Sequence, residues 1–245
     1  MNLLRRALSE GTPSIGMWSG WLTPIDAEQL GALGYDWVVF DMQHTGLGWE
    51  ALLSQIQALE LGGTRAMVRV DWNHPPEIMR ALDLGAIGVV VPLVSTAAEA
   101  ARAAHAMRYP PLGSRSNGQV RREMSHDEAN QDVVCIVMIE TSEGLANVDE
   151  IAAVPGVDVL MIGASDLALS LGREQGVMGM HPDALDDVSR VVGAAKRHGK
   201  VAGTLGFSVE HVQALLERGA RWVGVLDRDR DAYLEAQRAW SLSSG

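Results

Sequence analysis

Apolar residues gather along the chain in short β-branched and aromatic runs, at 14–19, 37–42, 65–70, 88–93, 134–140, 157–163, 200–206 and 221–226. Most of these runs are nearly continuous rather than alternating, the pattern of parallel strands buried on both faces. Between them lie stretches of helical character at 24–33, 49–61, 75–84, 96–107, 183–198, 208–218 and 228–240. Several open on Thr, Ser, Asp or Pro and close on Gly, as at Leu33-Gly34, Leu84-Gly85, His198-Gly199 and Arg218-Gly219. Those are the residues that start and stop helices. Eight strand-and-helix units in this order predict an α/β protein, a single (β/α)8 TIM barrel occupying residues 1–245 as one domain. A doubly wound open sheet fits less well, because it calls for a Gly-rich phosphate turn after its first strand. Trp18-Ser19-Gly20-Trp21 does not supply that turn, and no nucleotide cofactor is expected.

Strand spacing is about 21 to 28 residues in most units, on the barrel template, and nearly twice that after the fourth and sixth strands. The first long connection contains Tyr109-Pro110-Pro111-Leu112-Gly113-Ser114-Arg115-Ser116-Asn117-Gly118, the second residues 172–181. Both are expected to emerge at strand C-terminal ends, where barrel active sites are built.

Composition narrows the partners. A chain of 245 residues, 47% hydrophobic, is long enough for one large core. A formal charge of −11 repels phosphate backbones and anionic lipid, so neither nucleic acid nor a membrane is an expected partner. No apolar run approaches the roughly 20 residues that span a bilayer. Arg5 and Arg6 are followed by no apolar signal core, which places the expected protein in the cytoplasm. Cys135, the only cysteine, sits in Val133-Val134-Cys135-Ile136-Val137 and reads as a buried structural thiol.

On a barrel, the strand ends project Trp18, Asp41 with His44, Arg69, Glu140 and Asp166 toward one mouth. Glu140 ends an otherwise apolar strand and Asp166 follows Gly163-Ala164-Ser165 at the end of the sixth. Two carboxylates suffice for a hard divalent cation that keeps several waters and is chelated by its substrate. Asp166 taken alone fits a helix N-cap equally well. Arg69, a cation among apolar neighbours, fits either a substrate anion or an internal ion pair with Glu140 or Asp41. Asp41 lies three residues before His44, a spacing that suits an aspartate fixing an imidazole as general base. The other histidines (His74, His105, His126, His181, His198, His211) read as surface residues.

Carbon–carbon chemistry beside a 2-oxo acid needs an electron sink, a lysine Schiff base or a Lewis-acid metal. Only Lys196 and Lys200 are present, one in a late helix and the other at the start of the seventh strand, on the wrong face. A Schiff-base lysine is therefore not expected. Gly163, Ala164 and Ser165 fit a helix N-terminus that binds carboxylate or phosphate, or an ordinary βα turn. Leu205, in Gly203-Thr204-Leu205-Gly206-Phe207, reads as pocket wall, and Trp18 and Trp21 as pocket lining or core.

These residues resemble the HpcH/HpaI family of class II pyruvate aldolases, which act on 4-hydroxy-2-oxoheptanedioate and 2-dehydro-3-deoxyglucarate. The strongest stretches are Tyr35 through His44, Val68-Arg69-Val70 with Ile78 to Leu93, Arg108 through Arg115, Ile139-Glu140-Thr141, and Gly156-Val157-Asp158 through Asp166-Leu167. The resemblance implies that Glu140 and Asp166 hold Mg²⁺, Mn²⁺ or Co²⁺. It implies that Arg69 stabilises an enolate oxygen, that His44 moves the 4-hydroxyl proton through a metal-bound water, and that Asp41 orients His44. The N–H groups of Ala164 and Ser165 would hold the donor carboxylate. Asp83 would stand near a neighbouring subunit's site in a homo-oligomer, a hexamer. Gln43, expected among the substrate-binding residues, stands where many relatives have Glu, Ala164 where they have Pro, and Ser116 where they have Gly. The expectation is an enzyme that reversibly cleaves 4-hydroxy-2-oxo acids to pyruvate and an aldehyde. Its rivals are a related lyase acting on a CoA thioester or dicarboxylate, and a non-catalytic 2-oxo acid binding barrel.

Overall fold

The computed structural model describes residues 3–20, 22–118, 121, 123–173 and 182–226. Within them the elements run α1 (Leu3–Glu10), β1 (Ser14–Ser19), α2 (Pro24–Gly31), β2 (Val38–Asp41), α3 (Trp49–Leu61), β3 (Ala66–Arg69), α4 (Pro75–Asp83), β4 (Gly88–Val91) and α5 (Ala97–Ala106). They continue with α6 (His126–Asp132), β5 (Val134–Ile139), α7 (Ser142–Ala146), α8 (Val148–Ala152), β6 (Val159–Ile162), α9 (Ala164–Ser170), α10 (Pro182–Arg197), β7 (Val201–Gly206), α11 (Val209–Glu217) and β8 (Trp222–Leu226). The strands close in sequence order, and every neighbouring pair is parallel. The expected (β/α)8 barrel is the fold. All eight strands fall inside the segments picked out by apolar runs, some trimmed by a residue or two at their ends. The expected helix at 228–240 and residues 172–181, apart from 172 and 173, lie outside the described residues.

Strand side chains divide between two cores. Those pointing outward pack with the helices, as Val38, Phe40, Val68, Val89, Val137 and Leu160 do against Ile56, Ile78, Leu145 and Val191. Those pointing inward fill the barrel: Trp18, Trp37, Met67, Ile136, Met138, Met161 and Trp222 lead this cluster. The indoles of Trp37 and Trp222 stack face to face, centroids 4.1 Å apart, and Trp18 meets Trp222 edge-on at 6.5 Å. Large rings fit because a neighbouring strand gives way. A Cβ on Gly16 would lie 2.2 Å from the Trp37 ring, so only glycine is tolerated there. α1 packs at the N-terminal end of the barrel, where Leu8 touches the inner cluster and Arg5 donates to both Asp158 oxygens at 3.0 and 2.9 Å.

One expectation about the loops is corrected. The stretch from Tyr109 to Gly118 follows α5 rather than β4, so it belongs to the opposite end of the barrel from the strand C-termini. The long interval after the fourth strand counts a full helix first, and the extra residues come after that helix has run back.

Candidate active site

Parallel register brings the mouth together. Asp41 and Arg69 end neighbouring strands as direct Cα partners, so their side chains emerge side by side. Arg69 Nε donates to Asp41 Oδ1 at 2.9 Å and its Nη2 to Oδ2, a bidentate pair in which Asp41 is 5% exposed and Arg69 7%. The backbone N–H groups of Gln43 and His44 also donate to Oδ1, at 3.0 and 3.3 Å, and the Trp18 indole N–H to Oδ2 at 3.4 Å. Burial alone would raise the Asp41 carboxyl; the Arg69 hydrogen bonds and charge, helped by His44 and Trp18, outweigh it and hold it below the usual range. Of the two readings of Arg69, the ion pair is present. A further correction follows: Asp41 grips the backbone of His44, not its imidazole, because Arg69 and Trp18 occupy its outer oxygen. His44 stands exposed at the rim of the cavity.

Glu140 is held from the other side. Its carboxylate follows the last residue of β5, and Ile139 pairs with Ile162, which sets it level with Gly163. A Cβ on Gly163 would sit 2.2 Å from Glu140 Oε2, so the missing side chain is the space the carboxylate fills. Oε1 accepts from the Leu93 backbone N–H at 2.6 Å, while Oε2 is buried without a hydrogen-bond partner. Glu140 is 2% exposed, and burial pushes its carboxyl up to about 7, the nearby Asp166 charge adding to the rise against the pull of the Leu93 N–H and Arg69. Leu93 reaches it from a left-handed backbone, φ 54°, the only positive φ on a non-glycine residue among those described. That conformation costs a non-glycine residue about 1–2 kcal/mol. It persists because the turn is clamped: Val94 N–H to Met138 O at 3.2 Å, the Ser95 and Thr141 hydroxyls at 2.6 Å, and Asn147 Nδ2 to Ser95 O at 2.9 Å.

Asp166 is not the N-cap of α9. Gly163 is, without a side-chain cap, and Asp166 sits in the first helical turn, exposed and facing the cavity. The first intrahelical bond there is Leu167 N–H to Gly163 O, which leaves the N–H groups of Ala164 and Ser165 free of intrahelical partners. The cavity at the mouth measures about 290 Å³ and brings together Trp18, His44, Arg69, Glu140, Gly163, Ala164, Ser165, Asp166 and Leu205. Sequence reasoning missed Met138, Met161 and Ile162, which also line it. These apolar strand residues carry no mark that separates them from the rest of the core. It also missed Leu93, since nothing about a leucine announces a left-handed turn, and took His211 for a surface residue. His211 is partly buried, accepts the Phe207 N–H at 3.4 Å and stacks on the Phe207 ring, which lines the cavity.

Of the expected catalytic and substrate-binding residues among those described, Asp41 and Gln43 do not line the cavity. Gln43 supports Asp41 through its backbone but does not line the pocket. Asp83 ends α4 at the far end of the barrel, paired with Arg115 at 2.7 Å. Trp21 lies outside the described residues. Lys200 immediately precedes β7, at the end away from the mouth.

One cavity at the barrel mouth thus holds Arg69, paired with Asp41, together with two carboxylates, Glu140 and Asp166. The chain belongs to the HpcH/HpaI aldolase/citrate lyase family, whose model matches residues 14–225. It is 39% identical over 217 residues to a hydroxypyruvate/pyruvate aldolase of Rhizorhabdus wittichii, covering 85% of this chain and 86% of that one. It is 37% identical over 231 residues to a 5-keto-4-deoxy-D-glucarate aldolase of Salmonella paratyphi A, covering 91% and 90%. A crystal structure of a family member from Burkholderia cenocepacia superposes with a TM-score of 0.84 at 30% identity, covering 100% of this chain and 99% of that one. The expected family and its aldolase class agree with these relatives. Among the described residues no helix is long and apolar enough to cross a membrane.

Proposed function

We propose that this chain is a class II pyruvate aldolase, reversibly cleaving 4-hydroxy-2-oxo acids to pyruvate, or a pyruvate-like 2-oxo acid, and an aldehyde. The observation that carries the reading is Glu140, which lines the same cavity as Asp166 and has a buried, partnerless Oε2, while the one arginine among the described lining residues is already engaged by Asp41.

The residues fit a divalent ion, Mg²⁺, Mn²⁺ or Co²⁺. Two acidic side chains share one cavity, one of them pushed up to about 7 by its burial, with the other's charge adding to the rise. Among the described residues no three His, Cys, Asp or Glu side chains cluster as a metal cage. That favours a hard ion taking one or two carboxylates plus substrate oxygens and waters over one that needs a full protein shell. Bound there, such an ion supplies Lewis acidity to the donor's keto oxygen.

The chain's own groups do the rest. The free N–H groups of Ala164 and Ser165 hold the donor carboxylate and so fix the orientation of the donor in the cavity. Arg69, its planar guanidinium anchored by Asp41, places positive charge where negative charge develops on the keto oxygen. His44, at the rim, takes the 4-hydroxyl proton in the cleavage direction and returns it in the other. Leu205 and Phe207 wall the opposite side against water. The same reading carries a homo-oligomer, a hexamer by family likeness, with Asp83 near a neighbour's site, and a cytoplasmic location; light scattering checks the assembly.

The test is incubation of the Mg²⁺- or Mn²⁺-loaded protein with a 4-hydroxy-2-oxo acid, with pyruvate read by lactate dehydrogenase. Release of pyruvate that stops on adding EDTA is expected. No release with any such acid would leave the thioester-lyase and binding-barrel readings.

A further inference from the structure

Trp18 touches both members of the Asp41–Arg69 pair. Its indole N–H points at Asp41 Oδ2, 3.4 Å away, and the Arg69 guanidinium carbon stands over its ring, 4.9 Å from the centroid. Its other edge rests on the indole of Trp222, which lies flat on that of Trp37 at 4.1 Å and an interplanar angle of 1°. Trp37 is in turn tied by its N–H to the Ser14 hydroxyl at 2.9 Å. The groups form one contiguous stack up the inside of the barrel, from Ser14 on β1 to the guanidinium at the mouth. Trp18, Trp37 and Trp222 are all buried, so the stack has little freedom to shift.

We infer that Trp18 is a positioning residue for Arg69: the indole stack sets the height and tilt of the guanidinium, and the N–H of Trp18 turns Asp41 to receive it. Two constraints on a planar cation are needed. A bidentate carboxylate fixes its in-plane direction, and a ring beneath fixes its plane. Asp41 supplies the first and Trp18 the second. The inference rests on the functional reading only for its kinetic consequence, not for the geometry.

The experiment has two arms. In the first, protein labelled with ¹⁵N-arginine is recorded by NMR without metal or substrate, and the Arg69 Nε–H signal is assigned from its loss in Arg69→Lys. A signal upfield in the unmodified protein of its position in Trp18→Leu is expected, the hydrogen bond to Asp41 being common to both; the same position in the two overturns the inference. In the second, methyl-proton exchange of pyruvate in D₂O is followed for Trp18→Phe and Trp18→Leu. Trp18→Phe keeps a ring under Arg69 and loses only the N–H, so a loss of about 2- to 5-fold in kcat is expected, against about 30- to 100-fold for Trp18→Leu, with KM within about threefold in both. A raised KM at unchanged kcat would make Trp18 a substrate wall instead and overturn the inference. Should Trp18→Leu fail to fold, the split between kcat and KM in Trp18→Phe still decides. Exchange absent from the unmodified protein would count against the aldolase reading while the NMR arm stands on its own.

Discussion

The two halves of the barrel mouth solve the same problem, a buried charge, in opposite ways. On the β2–β3 side Asp41 meets Arg69 and the charges cancel within the protein, with Trp18 and two backbone N–H groups completing the hydrogen bonds. On the β5–β6 side Glu140 has one hydrogen bond, from Leu93, and its other oxygen is buried without a partner. A buried charge without a partner is costly, and Glu140 answers that cost by holding its proton up to about 7.

The contrast breaks most sharply at Arg69. Arg69→Ala leaves Asp41 buried without its cation, and a stability loss of about 3–5 kcal/mol in urea unfolding is expected. Pyruvate methyl exchange should fall on the order of 10²–10³-fold. Unchanged unfolding would mean the pair is idle.

The halves also titrate in opposite senses. Asp41 is held below its ordinary value, so its contribution is present at neutral pH and lost only in acid. Glu140 is raised from 4.5 to about 7, so the folded state holds its proton more tightly than the unfolded one. Its contribution is full below about 4.5 and is lost as pH rises through about 7. Without metal, the protein should therefore gain stability between pH 8 and pH 5. Glu140→Gln, which keeps a neutral side chain at every pH, should be more stable than the parent at pH 8 in EDTA by on the order of 2–3 kcal/mol and about equal to it at pH 5. A parent whose unfolding midpoint in EDTA is flat across that range would contradict the assignment.

The smallest effect belongs to Leu93. Leu93→Gly removes the left-handed penalty but adds chain freedom to the unfolded state, so a change in stability below about 1 kcal/mol is expected, with Glu140 still held. A large loss would show that the Leu93 side chain, not its N–H, supports the turn.

The two halves were also unequally legible in the sequence. Strands buried on both faces announce themselves as continuous apolar runs, and from eight of them the mouth residues Asp41, Arg69 and Glu140 could be named, because polar residues ending such runs have few other reasons to be there. Asp41 and Arg69 are 28 positions apart, and only the register of β2 against β3 decides that they pair with each other rather than with Glu140. Adjacency in the chain suggested that Asp41 serves the His44 ring; adjacency in the sheet gave it to Arg69. The N–H that holds Glu140 belongs to a leucine in a conformation that leucine disfavours, which no local pattern betrays. Helices α1 and α6 went unread for a plainer reason. Both are short polar-rich segments whose helicity comes from what they pack on or how they are capped, as the Ser125–Glu128 capping box shows for α6.

The claim that the β5–β6 half is built to complete itself with a divalent ion is tested most directly by ¹H NMR of pyruvate in D₂O, comparing Mg²⁺ with EDTA for the parent, Glu140→Gln and Asp166→Asn. The account predicts loss of the methyl signal in the parent with Mg²⁺ only, and little or none in either variant. Exchange that persists in EDTA, or in both variants, would contradict it.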